Sequence, residues 1–226
     1  MCPPSDLAAS HGYSTQPHPD IDSIIPQTQI SKSAYDHASN LLDPAILNHS
    51  VRVYVYAKAI AQHTSSIYSS DSAKHDLLFT ACLFHDIGTT ATYDGTQRFE
   101  VEGADAAVKH LSQFNVGEAD KHDVWTSIAI HTSPGIAEKI AELSCIVRQA
   151  VLTDFGRKTI VWDAIVPLKE KLESEFARAE IEKVLGDAVV EQAKSKPEKA
   201  PMASWPGVMY KAYLAEPEWV GVNKGF

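Results

Sequence analysis

A chain that repeats its apolar side chains every three to four positions, and places histidines and aspartates beside those same apolar faces, has few folds open to it. It must pack helix against helix and bring the polar groups together inside. This sequence follows that pattern from Ser31 onward. Asp43-Pro44 is a helix start, an acid at the N-cap followed by proline in the first turn. The helix it opens is predicted to run to about His63, with Val53, Tyr56 and Ile60 on one face with His49. A second helix begins at Asp71 or Ser72. Leu78, Ala81, Cys82 and His85 share its inner side, and Gly88 offers the stop. Further helices are predicted over residues 101–114 and 118–132, the latter ending at Pro134-Gly135. In a fifth, Ile136, Ile140, Leu143, Val147, Ala150 and Asp154 follow spacings of four and three until Gly156 closes it. Two more helices are predicted over 162–175 and 178–194, and the aromatic C-terminus, with Trp205, Tyr210, Tyr213 and Trp219, is expected to dock. No alternating strand pattern and no internal repeat is seen. The expectation is an all-α, single-domain bundle over 31–226, preceded by an irregular, proline-rich arm over 1–30.

Composition narrows the function. The formal charge of −9, from 20 basic and 29 acidic residues, argues against nucleic acid or an anionic membrane as the main partner. A small molecule is the expected partner. There is no apolar run near the ~20 residues of a membrane helix and no secretory leader pattern, so a cytoplasmic location is expected. Three cysteines, Cys2, Cys82 and Cys145, form no CxxC pair, which leaves neither a disulfide framework nor a cysteine-rich zinc site.

Glycine-rich phosphate loops, GxSxG and HExxH are all absent from the sequence. What remains is a dispersed set at or near the inner sides of helices: His49, the adjacent pair His85-Asp86, His131 and Asp154. Burying such groups unpaired costs several kcal/mol per ion, about that much unless they pair or bind a cation. Imidazole and carboxylate together suit zinc or iron better than calcium or magnesium. Each residue also has an ordinary structural reading. A histidine on an apolar face is often a hydrogen-bonded core group, and Asp154 has the option of capping a turn or pairing with Arg157. The combination is what points to a metal.

The flanking residues sharpen this. Leu47-Asn48-His49-Ser50-Val51-Arg52-Val53, Leu83-Phe84-His85-Asp86-Ile87-Gly88-Thr89, Phe99-Glu100-Val101-Glu102-Gly103 and Thr153-Asp154 resemble the HD-domain superfamily of metal-dependent hydrolases, and its fungal cyanamide hydratase branch in particular. The resemblance covers about residues 40–160 and implies a helical HD fold with a metal-binding core over 43–160. It implies a metal held by His49, His85, Asp86 and Asp154, zinc at one per chain with Fe2+ as the alternative, and a homo-oligomer. Dinuclear members carry a further histidine four residues before a Gly-Ala. Here that position is Phe99, ahead of Gly103-Ala104, so a mononuclear site is expected. His110 is expected to face away as a surface residue.

The implied reaction is hydration of a small nitrile, cyanamide to urea. Asp86 or Asp154 is expected to relay a proton, and His131 or the Thr153 hydroxyl to hold the polar end of the substrate. A small, dry cavity is expected, with Phe84, Phe99, Tyr56 and Trp125 as candidate walls and Arg52 within reach of the site. Alternatives are a phosphohydrolase using Arg52, Arg98, Arg148 or Arg157, a hydratase of another nitrile or isonitrile, and a silent binding module.

Overall fold

The computed structural model describes residues 21–157 and 162–216, and the expectations for residues 1–20 and Trp219 lie outside that range. The described chain contains helices and no strand. In order these are α1 (Gln29–Ser39), α2 (Pro44–His63), α3 (Ile67–Ser70), α4 (Ser72–Phe84), α5 (Phe99–Leu111), α6 (Glu118–Ala129), α7 (Ala137–Ile140), α8 (Glu142–Asp154), α9 (Trp162–Glu175), α10 (Ile181–Ser195) and α11 (Trp205–Ala215). No described helix is long and apolar enough to cross a membrane.

The helix starts are chemical. Asp43 accepts the Ala45 amide at 2.8 Å, Asp71 accepts that of Ala73 at 2.9 Å, and Ser204 accepts that of Gly207 at 3.1 Å. Each satisfies one of the amide groups a helix leaves unpaired at its first turn. The expected arm is shorter than drawn. α1 opens at Gln29, capped by Thr28, and buried Asp76 of α4 accepts the hydroxyls of Thr28 and Ser31, tying α1 to the domain.

The long α2 is the central element. It packs against α4 and α8, and further along against α10. Their contact faces supply Val53, Tyr56 and Ile60 from α2, Leu78, Ala81 and Cys82 from α4, and Val147 and Ala150 from α8, all at most 1% exposed. Large apolar side chains removed from water to this degree contribute roughly 1.5–3 kcal/mol each before chain entropy is counted.

Two departures from the sequence reading have clear causes. The fifth predicted helix is two, α7 and α8, broken at Ala141, whose backbone is extended at φ −156°. Ile136 and Ile140, counted as core, are 56% and 55% exposed, so their spacing marks an outer surface. His110, expected at the surface, is 5% exposed. It lies on the packed side of α5 with Gly103, Ala107 and Leu111, and its Nε2 is 3.1 Å from the Ile30 carbonyl.

A close approach fixes the turn after α4. A Cβ on Gly88 would lie 1.9 Å from the Phe99 carbonyl oxygen, and one on Gly103 would lie 2.7 Å from that of Phe84. Only hydrogen at these positions lets the start of α5 press against the turn that carries His85 and Asp86.

Candidate metal centre

Four helices and one 3-10 turn deliver the polar groups. His49 sits in the second turn of α2, packed by Ile46 and Val53 on the same helix. His85 is the C-cap of α4, and Asp86 opens the one-turn 3-10 helix Ile87–Thr89 that follows. His131 lies just past the end of α6, and Asp154 is the last residue of α8. All five side chains are at most 3% exposed.

Hydrogen-bond geometry assigns the imidazole tautomers. His85 Nδ1 is 2.7 Å from the Cys82 carbonyl, and His131 Nδ1 is 2.7 Å from that of Ile128. A carbonyl only accepts, so both Nδ1 atoms carry the hydrogen. His49 Nδ1 is 2.7 Å from Asp154 Oδ2, and that carboxylate, gripped by an arginine, is again an acceptor. Each ring therefore turns an Nε2 lone pair the other way. The three converge: His49 Nε2 is 3.1 Å from His85 Nε2, His85 Nε2 is 3.1 Å from Asp86 Oδ2, and His131 Nε2 is 3.5 Å from Asp86 Oδ1.

The Asp86 carboxylate meets these lone pairs bare. Both its oxygens are buried and neither has a hydrogen-bond donor. Lone pairs and an anion packed without donors repel strongly in a low-dielectric interior. A proton on one ring relieves one contact, whereas a cation among them satisfies all. The ligand atoms of His49, His85 and Asp86 lie within 4.8 Å of one another. Nitrogen with carboxylate oxygen suits a divalent transition ion. The residues therefore fit a metal.

The electrostatics agree. Burial pushes the His49 pKa down, against the opposing pull of Asp154. Burial acts the same way on His85, but the adjoining Asp86 carboxylate outweighs it and the net shift is upward. Asp86 would be raised by burial, yet positive charge on His85 and His131 would hold it well below the usual carboxylate range. This is an anion that keeps its charge and draws positive charge to the cluster.

Asp154 occupies a different place from the one expected of a fourth ligand. It sits at the opposite nitrogen of His49, and Arg52 grips it as a fork, Nε to Oδ1 at 2.7 Å and the second terminal nitrogen to Oδ2 at 2.8 Å. Arg52 and His49 together outweigh burial and keep its carboxyl ionised, well below the ordinary range. Arg178 donates to the Asp154 backbone carbonyl at 2.7 Å. A carboxylate behind an imidazole fixes the ring's tautomer and raises its basicity toward a metal.

The cluster forms the inner end of a cavity of about 710 Å3. His131 and Phe99 line it, with their rings edge to face at 5.7 Å. The other expected walls do not. Tyr56 is fully buried in the core, Phe84 stacks on His37 at 5.7 Å beneath α1, and Trp125 bonds to Asp105 at 2.8 Å. Arg52 is 0% exposed and engaged with Asp154 and the Phe176 carbonyl, so it faces the core and leaves the cavity wall to others. Thr153 does not line the cavity either; its hydroxyl donates to the Gln149 carbonyl at 2.8 Å. Thr132, which does line it, donates to buried Glu100 at 2.6 Å. Phe155 and the Met202–Val208 stretch were not anticipated. The signal available for Phe155 was its adjacency to Asp154, and its ring lies 4.8 Å from that of His49.

Comparison with known proteins adds the lineage. Cyanamide hydratase DDI2 and Cyanamide hydratase DDI3, both of Saccharomyces cerevisiae, are each 32% identical over 65 residues, 29% of this chain. That alignment spans 28% of the length of either relative. The family model of the HD domain matches residues 46–154, a span that opens three residues before His49 and ends on Asp154. The His-Asp pair, the further histidine of α2 and the closing aspartate all lie inside that span, which matches the HD domain.

Proposed function

We propose that this protein is a mononuclear, zinc-dependent hydratase acting on a carbon–nitrogen triple bond, with cyanamide to urea as the reaction that tests it. The observation that carries this is the convergence of three Nε2 lone pairs on the unpartnered carboxylate of Asp86 at the end of a cavity. The partial similarity to cyanamide hydratases supports the choice of substrate. His49, His85 and Asp86 would hold the metal, with His131 beside them. When bound, such an ion supplies Lewis acidity, which lowers the pKa of water from 15.7 to ≈ 7 in favourable sites.

The residues of the chain do the rest. Water adds its oxygen to the nitrile carbon, and both its protons end on nitrogen, so that N≡C–NH2 becomes O=C(NH2)2. Asp86 Oδ1, free of donors and 3.5 Å from His131 Nε2, is placed to accept a hydrogen bond from the attacking water and orient it. Asp154 positions His49 through its Nδ1, and Phe99 closes the wall where a second metal ligand would otherwise stand.

A phosphohydrolase is the second reading. Arg157 lines the cavity and forms no ion pair among the described residues, which favours it. Against it, Arg52, Arg98 and Arg148 are engaged by Asp154, Glu100 and Glu138, leaving few cations for a phosphate.

The test is urea formation from cyanamide by chelator-stripped protein, before and after reloading with zinc and, separately, with Fe2+. Zinc-restored urea, together with loss of bound metal in His85→Ala and Asp86→Ala, is the expected result. Absence of urea from protein holding about one zinc per chain would overturn the reaction, and unchanged metal content in both variants would overturn the site.

A further inference from the structure

The cavity is too large for the substrate just named. Cyanamide has three heavy atoms, whereas about 710 Å3 lies within the roughly 300–1,000 Å3 range of pockets that take drug-sized ligands. The wall also changes character along its length. At the inner end stand His49, His85, Asp86 and His131, all at most 3% exposed. Away from that end the wall is mainly apolar, with Leu185, Trp205 and, at 56%, 96% and 48% exposed, Ile136, Met202 and Val208, beside the polar Ser133, Arg148, Arg157 and Ser204. Apolar side chains gathered around an opening leave hydrocarbon in water that a ligand of matching character would cover.

Leu185, Met202, Trp205 and Val208 belong to α10, α11 and the segment between, outside residues 46–154. The HD domain thus supplies the reactive end, and the chain beyond it supplies the wall that meets the rest of the substrate. Trp205 reaches back to the HD domain, its ring 5.8 Å from that of Phe99.

We propose that the substrate is a nitrile bearing an apolar substituent of four or more carbons, and that Ile136, Trp205 and Val208 determine its specificity. This rests on the hydratase reading. The reaction is R–C≡N plus water giving R–C(=O)NH2: the two carbon–nitrogen π bonds and the two O–H bonds of water break, a carbon–oxygen double bond forms, and both water protons end in N–H bonds. Intrinsic reactivity changes little along the straight-chain series from acetonitrile to pentanenitrile, so the series isolates what the wall contributes. A fully buried methylene favours binding about fourfold, equivalent to ~0.8 kcal/mol.

The experiment measures kcat/KM of the zinc-loaded protein for cyanamide and for the nitrile series, and binding of the product amides, acetamide to pentanamide, by calorimetry. The expected result is kcat/KM rising severalfold per methylene, with amide affinity rising in parallel. In Val208→Phe, a substitution at a half-exposed position, the ratio of pentanenitrile to acetonitrile kcat/KM should fall at least tenfold. Cyanamide turnover with a flat or falling series and flat amide binding would overturn the proposal and leave the hydratase reading standing. No hydration of any nitrile, cyanamide included, would overturn both.

Discussion

Replacing Arg52 with methionine tests the electrostatic account of the centre without touching a proposed metal ligand. Both Arg52 and Asp154 are 0% exposed, so the screening that makes surface ion pairs nearly worthless does not operate. Two charge-assisted hydrogen bonds would be lost, and the Phe176 carbonyl would lose its donor at 2.8 Å. Removing one partner of a buried pair costs about 3–5 kcal/mol, because the other charge is left behind. Arg178 stands 3.7 Å from Asp154 Oδ2 and compensates in part, which places the expectation in the lower half of that range. For a chain of this size that corresponds to a fall in Tm of roughly 6–16 °C.

The assay is urea unfolding of chelator-stripped protein, so that no metal linkage enters, read as a change in midpoint at constant slope. Arg52→Lys should recover little, since an ammonium cannot reproduce the fork. Adding Asp154→Asn to Arg52→Met should regain most of the loss, because the stranded charge is gone while His49 keeps an acceptor. A loss below about 1 kcal/mol for Arg52→Met, the level of an exposed pair, would refute the reasoning.

Two further expectations follow from the same geometry. Asp154→Asn should weaken zinc binding ten- to a hundredfold, the usual effect of losing a carboxylate behind a metal-bound imidazole, while Asp86→Asn removes a ligand; equal losses in competition titrations with a chromogenic chelator would make Asp154 a ligand itself. His110 should make stability fall with acidity. Burial holds its pKa below the ordinary value, with the Ile30 hydrogen bond opposing and His37 reinforcing that shift. The unfolded chain therefore takes up the proton first, so the stabilisation is complete above about pH 6.5 and is lost as the pH falls through that value, by at most ~1.4 kcal/mol per unit. Unfolding midpoints at pH 7.5 and 5.5 should converge in His110→Phe relative to the parent; an unchanged difference would sink the assignment.

What was legible in the sequence was local. The boundaries of α2 followed from Asp43-Pro44, an N-cap oxygen and a ring already set at a helical φ. The start of α4 followed from Asp71. The polar cluster was legible too, because a histidine or aspartate beside an apolar face has nowhere inexpensive to go. Periodicity could not tell an inner face from an outer one. Ile136 and Ile140 satisfy the core spacing and are more than half exposed. It also could not tell which side of an imidazole a carboxylate occupies, and Asp154 was expected at the metal when it holds the other nitrogen of His49. The cavity wall was invisible for a further reason. Trp205 meets Phe99 across more than a hundred residues of chain, a tertiary contact no local pattern encodes.

That division of labour bears on how such a domain acquires a substrate. The tautomers of His85 and His131 are set by carbonyls of their own helix ends, and the seating of the turn that carries His85 and Asp86 depends on Gly88 and Gly103 within the same HD span. Nothing in that arrangement depends on what fills the outer cavity. The outer wall comes from Leu185, Met202, Trp205 and Val208, three of them in the stretch that opens α11 and the turn before it. Substitutions there change volume and shape at the mouth while leaving the hydrogen bonds that orient the inner donors intact. On the proposed reading, a chain built this way would keep its chemistry at one end and exchange its substrate at the other, and the size of the substrate would be set by the outer wall.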